Sequence, residues 1–118
     1  MKTRYWMGCA VLLLSPLAAH ATCAPTDFAI MDFKPAVQAA RMSLPGELVN
    51  HCATAAAAQI RIDIKDASGK VIQTRQAWPA GTSNIAPGDK VTFNLGRMFR
   101  PSPEIESFTA SVVDVRTW

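Results

Sequence analysis

The segment Ile60-Arg61-Ile62-Asp63-Ile64-Lys65 alternates strictly between apolar and charged residues. Successive side chains of a β-strand point to opposite faces, so the three isoleucines share one face and the three charged side chains share the other. Asp66-Ala67-Ser68-Gly69 follows as a turn, in which Gly69 can adopt a positive φ at no steric cost. Lys70–Gln76 then returns as a second strand. The pattern predicts a β-hairpin with one buried face.

Two later segments carry the same kind of pattern. Val91–Leu95 alternates after the Pro87-Gly88 turn, and Ser107–Val115 is rich in β-branched residues. Alternation and β-branching are typical of strands that pack one face on a core. We therefore expect a strand in each segment, with Ser107–Val115 as a long final strand.

The first part of the chain gives strands at Phe28–Phe33 and at about Met42–Asn50. Pro45-Gly46 within the second of these indicates a bulge or an edge position, because proline cannot donate to a strand ladder. Pro35–Ala40 and Ala53–Gln59 have the composition of one short helix or turn. Six or seven short strands separated by turns predict an all-β fold, an antiparallel β-sandwich.

Residues 1–21 have the three parts of a secretory signal peptide. Lys2 and Arg4 form a positive n-region, Ala10–Leu17 forms a short apolar region, and Ala19-His20-Ala21 supplies a small-x-small cleavage site. The apolar run is far shorter than the roughly 20 residues that span a bilayer. We expect cleavage after Ala21 and export of residues 22–118 as one β-sandwich domain, with no transmembrane span.

Cleavage lowers the net positive charge of the chain, which bears on whether it could bind an acidic partner. The whole chain has 12 basic and 9 acidic residues. Removal of Lys2 and Arg4 from the 12 leaves 10 basic residues against the same 9 acidic ones. Binding to DNA or RNA needs several basic side chains on one face to neutralise phosphates. The nearly neutral exported chain is therefore not expected to bind nucleic acid.

The exported chain retains two cysteines, Cys23 and Cys52, because Cys9 leaves with the signal peptide. An even number of cysteines in an oxidising compartment favours a disulfide. A disulfide that closes the loop between Cys23 and Cys52 stabilises the fold by about 3.5 kcal/mol in the chain-entropy model. A redox-active or metal-binding pair would be expected as Cys-x-x-Cys, which the chain lacks.

Several residues resemble the pattern of the small bacterial FxLYD-type immunoglobulin-like domains. Gly46–Asn50 is similar to the family's Gly-x-Val-x-Asn strand, and Ile62–Asp66 stands where the family has its name motif. Gly69 and Val71 follow as in the family's hairpin. Ile85–Gly88 and Phe93 are similar to its Pro-Gly turn and the apolar strand after it. Ile62 replaces the Phe of the motif and Lys65 replaces its Tyr. The resemblance covers about residues 42–115. It implies an immunoglobulin-like β-sandwich of six or seven strands, envelope-bound or secreted, with no known catalytic residues.

Catalytic and metal-binding chemistry has few candidates in the sequence. His51 is the only histidine of the exported chain and adjoins Cys52, so a Cys-His pair would need a free thiol. No Gly-x-Ser-x-Gly nucleophile elbow is present. Copper sites use Met and His, but Met31, Met42 and Met98 are scattered singly. His51 is the remaining metal candidate, and no cofactor is expected.

Protein recognition has better candidates. Arg97-Met98-Phe99-Arg100 precedes Pro101-Ser102-Pro103 and combines arginines with large apolar side chains, which are enriched in interface cores. The prolines lower the ordering cost of binding. Trp78, just before Pro79-Ala80-Gly81, is the second candidate. The alternative is a core role for Trp78, and a role for Met98 and Phe99 in covering one end of the sandwich.

These observations predict an exported, non-enzymatic immunoglobulin-like module of the bacterial cell envelope, either periplasmic or secreted. Its expected partner is another envelope or extracellular protein. Contact would be made through Arg97–Pro103 or by strand addition at an exposed sheet edge. The alternative function is a periplasmic protein that binds a small ligand or a metal, with copper as the ion.

Overall fold

Residues 22–118, which the computed structural model describes, contain eight β-strands and no α-helix. The predicted signal peptide at residues 1–21 lies outside the described residues. The strands are β1 (Phe28–Met31), β2 (Ala36–Gln38), β3 (Arg41–Ser43), β4 (Pro45–Asn50), β5 (Ala57–Lys65), β6 (Val71–Ala77), β7 (Lys90–Asn94) and β8 (Ser107–Arg116). A 3₁₀ turn at Pro25–Asp27 precedes β1, and a second at Gly96–Met98 lies between β7 and β8. The all-β prediction is confirmed.

The predicted hairpin is strands β5 and β6. The three alternating isoleucines of β5 are at most 1% exposed, whereas Arg61 on the opposite face is exposed. Gly69 in the connecting turn has a φ of 86°. Strand β8 pairs with the other edge of β5, which gives an antiparallel sheet in the order β6-β5-β8.

A second antiparallel sheet has the order β1-β4-β7, and β2 with β3 forms a separate two-stranded ribbon. Strand β4 is central, but its pairing with β1 covers only Glu47–Asn50, so Pro45 and Gly46 have ladder partners in β7 alone, as at a sheet edge. No register shift interrupts the pairing of β4 with either neighbour, so there is no bulge at this point. Pro45 is tolerated because it is the first residue of the strand, where no ladder donor is required. Gly46 leaves room for the Phe93 ring, which an added Cβ would meet at 2.5 Å.

Both three-stranded sheets contribute to the same core. One cluster of buried side chains joins Phe28, Leu48 and Phe93 of the second sheet to Ala58 and Ile60 of β5. A second cluster consists of Leu44, Ile62, Ile64 and Phe99. Full burial of such a side chain stabilises the folded state by about 1.5–3 kcal/mol. Ile60 therefore joins the two sheets, whereas Ile62 and Ile64 pack against Leu44 and Phe99, which lie outside the strands of the second sheet.

The two segments with helical composition are not helical, so that prediction is wrong. Pro35–Ala40 contains β2 and a turn, and Ala53–Gln59 contains a bend and the start of β5. Alanine favours helices, but Ala57 and Ala58 are buried and paired with β8. Tertiary pairing overrides the intrinsic propensity. The expected strand at Met42–Asn50 is divided at Leu44 into β3 and β4. These changes give eight strands rather than the expected six or seven.

Strand β4 connects two contrasting ends of the domain. It finishes at Asn50, which pairs with Phe28, and the predicted disulfide Cys23–Cys52 closes just beyond with a Cα–Cα distance of 5.7 Å. We call this the disulfide end. The strand begins at Pro45, which pairs with Asn94 at the start of the segment that contains Arg97. We call this the loop end.

Candidate interaction site

The segment Leu95–Glu106 connects β7 to β8 at the loop end and contains four of the predicted partner-binding residues. Arg97 and Met98 lie in the 3₁₀ turn, and Phe99 and Arg100 follow it. The side chains of Arg97, Met98 and Arg100 are exposed. The segment is irregular, so its position depends on contacts with the strands around it.

Asn94 provides the first of these contacts. Its Oδ1 accepts hydrogen bonds from the backbone N–H groups of Leu44 at 2.9 Å and Gly96 at 3.1 Å. Its Nδ2 donates to the hydroxyl of Ser43 at 3.1 Å. One carboxamide therefore ties the start of the loop to the junction between β3 and β4.

Gly96 allows the loop to lie directly against the ribbon. A Cβ at this position would overlap the backbone carbonyl of Met42. A side chain would therefore force the 3₁₀ turn and β3 apart, and with them Arg97 and Arg41. The sequence gives no sign of this contact, because Met42 and Gly96 are far apart along the chain.

Phe99 provides the second anchor and is a core residue. Its side chain is only 6% exposed and packs in the cluster that contains Leu44, Ile62 and Ile64. Phe99 thus covers one end of the core, which was the alternative to a direct role in partner binding. Phe99 therefore supports a binding surface but does not present its ring to a partner.

Gln73 of β6 provides the third anchor. Its Nε2 donates to the carbonyl of Arg100 at 2.9 Å, and the N–H of Arg100 donates to its Oε1 at 3.1 Å. The amide satisfies both backbone groups of Arg100, as a paired strand residue would. The guanidinium of Arg100 stays exposed.

A groove of about 460 Å³ lies between the loop and the ribbon. It is lined by Arg41, Met42, Ser43, Asn94 and Arg97. Ion pairs in residues 22–118 join Arg61 to Asp63 and Lys90 to Glu47, and none involves Arg41 or Arg97. The groove thus brings two arginines together with a serine, an asparagine and a methionine. Such a set of groups can bind an anionic group beside an apolar one.

Trp78 lies at the other end of the molecule. It follows β6 beyond Ala77, whereas Gln73 contacts the loop from the opposite part of that strand. Its ring packs edge-on against Trp118 at a centroid distance of 5.8 Å. The Arg116 guanidinium lies over both rings, 5.6 Å from the Trp78 centroid and 4.8 Å from that of Trp118. The structure therefore separates Trp78 from the other predicted binding residues.

His51 also lies at the disulfide end, and its N–H donates to the carbonyl of Asp27 at 2.8 Å. Its neighbour Cys52 is disulfide-bonded and cannot act as a thiolate nucleophile. Met42 and Met98 lie at the loop end. Within residues 22–118, no three His, Cys, Asp or Glu side chains come together as metal ligands would.

The hairpin turn surrounds the Asp66 carboxyl group with hydrogen-bond donors. Hydrogen bonds from the Ser68 hydroxyl and from the N–H groups of Lys70 and Ser68 lower the pKa of Asp66 below its ordinary value. All these donors belong to the same turn. Asp66 therefore has a structural role in shaping the turn.

No protein-family model, curated protein or solved structure matches the chain. No helix within residues 22–118 is long and apolar enough to cross a membrane. The function must therefore be argued from the geometry of the loop end.

Proposed function

We propose that the protein is an exported, immunoglobulin-like module of the bacterial cell envelope that binds another protein through its loop end and performs no catalysis. The immunoglobulin-like β-sandwich is supported by two three-stranded antiparallel sheets that share one core. Export is supported by the Cys23–Cys52 disulfide, since such bonds persist in oxidising compartments.

The observation that carries the proposal is an irregular loop that is anchored to the strands around it while the side chains of Arg97, Met98 and Arg100 face solvent. Asn94 fixes the loop at its start, and Phe99 and Gln73 fix it in the middle, at Phe99 and Arg100. Between these anchors, Met98 is 37% exposed and Arg97 and Arg100 are exposed. A surface that is already ordered loses little conformational entropy on binding.

The composition of the exposed surface also favours a protein partner. Arginine and methionine are enriched in interface cores, and both are presented by the same short segment. Val37 of the neighbouring ribbon is 42% exposed and adds a further apolar contact. Strand β2 has its outer edge unpaired within the described residues, so it offers backbone hydrogen bonds to an added strand.

The test is site-specific photo-crosslinking in living cells. A photoreactive amino acid replaces Met98 in the full-length protein, and the matched control carries it at the exposed Gln76 near the other end of β6. We expect one defined envelope protein to be crosslinked from position 98 and not from position 76. Absence of any crosslinked protein at 98, or equal capture of the same proteins at both positions, would overturn the proposal.

A further inference from the structure

The groove at the loop end brings two positive charges together without a neutralising carboxylate. Arg41 comes from β3 and Arg97 from the 3₁₀ turn, and both line the same groove. The ion pairs within residues 22–118 involve other arginine and lysine side chains. Like charges that face one cavity repel each other, and a bound anion would relieve this repulsion.

The positive charge is local rather than general. Residues 22–118 contain 10 basic and 9 acidic side chains, so the domain has almost no net charge. Long-range attraction to a nucleic acid or an anionic membrane needs a broad basic face. A compact pair of guanidinium groups instead favours recognition of one or two anionic groups at short range.

Ser43 adds a hydrogen-bond donor to this pair. Its oxygen accepts a hydrogen bond from Asn94 Nδ2 at 3.1 Å, which leaves the hydroxyl proton free to be donated into the groove. Met42 supplies an apolar wall. The donors therefore converge on a space that is bordered by an apolar side chain.

We infer that this groove binds a side-chain carboxylate of an acidic, extended segment of the partner protein, an inference that rests on the proposed function. Guanidinium groups bind both oxygens of a carboxylate through paired N–H donors, and Arg clusters are a recurring means of recognising acidic motifs. Val37 of β2 and Met98 of the 3₁₀ turn are exposed on the ribbon and the loop, outside the residues that line the groove. They favour an apolar residue beside the carboxylate, which a protein segment provides and a free anion does not.

The test measures the affinity of the full-length, exported and processed protein for a defined probe. The probe is a fluorescein-labelled octapeptide of alternating aspartate and valine, and its matched control has asparagine in place of aspartate. We expect the aspartate peptide to bind and the asparagine peptide to bind at least about tenfold more weakly. Binding should also weaken as salt is raised from low to physiological concentration.

Variants identify the groove. Arg41→Gln with Arg97→Gln should weaken binding of the aspartate peptide by about tenfold or more. Lys70→Gln with Arg75→Gln removes two exposed charges from the hairpin of β5 and β6 and should change binding by less than about twofold. Equal binding of both peptides, or equal binding by both double variants, would overturn the inference. Tighter binding to inorganic phosphate or to phosphatidylglycerol vesicles than to the peptide would overturn the assignment to a protein carboxylate.

The crosslinking experiment separates this inference from the proposed function. If position 98 captures its partner equally well in the Arg41→Gln, Arg97→Gln variant, the carboxylate inference fails and the proposed function stands. If position 98 captures nothing, the proposed function fails whatever the peptide does.

Discussion

The disulfide end and the loop end are formed by opposite ends of the same strand, β4, yet they use polar groups in opposite ways. At the disulfide end, Asn50 is fully buried and all of its side-chain hydrogen bonds are made within the domain. At the loop end, the anchoring groups point inward, but Arg41 and Arg97 face an open groove. The difference indicates that the first end stabilises the fold and the second is available to bind.

This contrast makes stability and recognition separable by substitution. Groups buried at the disulfide end are costly to remove because their partners lose hydrogen bonds that water cannot replace. Exposed arginines at the loop end can be replaced at little cost in stability. The loop anchors lie between these extremes and should affect both properties.

The largest expected effect is that of removing the disulfide. The Cys23→Ala, Cys52→Ala variant should lose about 3.5 kcal/mol of unfolding free energy, because the unfolded chain gains the entropy of an open loop. Urea denaturation measures this loss, and the wild-type protein under reducing conditions is the control. A variant as stable as the oxidised wild type would contradict the stabilising role of this end.

Asn50→Ala should lose about 3 kcal/mol at the same end. The Asn50 Nδ2 donates to the carbonyls of Thr54 at 3.0 Å and Ile85 at 2.7 Å, and its Oδ1 accepts from Cys52 N–H at 2.7 Å. The substitution leaves the buried Cys52 N–H without its acceptor and removes a donor from the Thr54 and Ile85 carbonyls, of which the second still accepts from the Ala56 N–H. Asn84→Ala is the matched control, because Asn84 bonds only the exposed Trp118 backbone and should cost less than about 1 kcal/mol. Equal losses of unfolding free energy in the two variants would contradict the claim that the burial of Asn50 makes its hydrogen bonds more stabilising than those of Asn84.

Asn94→Ala should lose about 1 kcal/mol of unfolding free energy, since two backbone N–H groups lose their acceptor. It should also reduce crosslinking from position 98, because the loop is no longer fixed relative to the ribbon. Denaturation and crosslinking yield on the same preparation measure both effects. Unchanged crosslinking would mean that the order of the loop does not contribute to binding.

Arg41→Gln with Arg97→Gln should change the unfolding free energy by less than about 0.5 kcal/mol, since neither side chain is buried or has an ion-pair partner within residues 22–118. Its effect should be confined to binding. A large loss of unfolding free energy would show that these arginines stabilise the folded state, and the contrast between the two ends would fail.

The smallest expected effect is a pH dependence at the β5–β6 turn. The Ser68 hydroxyl, then the Lys70 N–H, lower the pKa of Asp66 in the folded protein. The stabilisation is therefore fully present above the ordinary aspartate pKa and is lost as the pH falls through the lowered folded value. NMR titration of the Asp66 carboxyl carbon should show the lowered pKa, and Ser68→Ala should raise it. An unchanged pKa in that variant would contradict the assigned cause.

The hairpin and the disulfide could be predicted from the sequence because their signals are local or compositional. The strict alternation of Ile60–Lys65 has only one strand interpretation, and the two cysteines outside the predicted signal peptide leave one pairing. The strand β2 carried no such signal. All three of its residues are exposed, and it pairs with β3, whose backbone at Met42 lies against Gly96, distant along the chain.

The candidate site could be predicted only in part, because most of its contacts join residues that are distant along the chain. The segment Arg97–Arg100 stands out by composition, but composition does not show that Phe99 faces the core and Met98 faces solvent. Arg41, Gln73 and Asn94 were missed because their roles depend on partners that only the folded chain brings close. The pairing of Trp78 with Trp118 is a long-range contact of the same kind.

The most direct test of the contrast between the two ends is a two-dimensional ¹H–¹⁵N NMR titration of the protein with the aspartate–valine peptide. The account predicts chemical-shift changes confined to residues 36–43 and 95–103. The indole N–H signals of Trp78 and Trp118 should stay in place, because these rings lie at the disulfide end. Shifts centred on the two indoles and residues 50–54, with the loop end unchanged, would contradict the account.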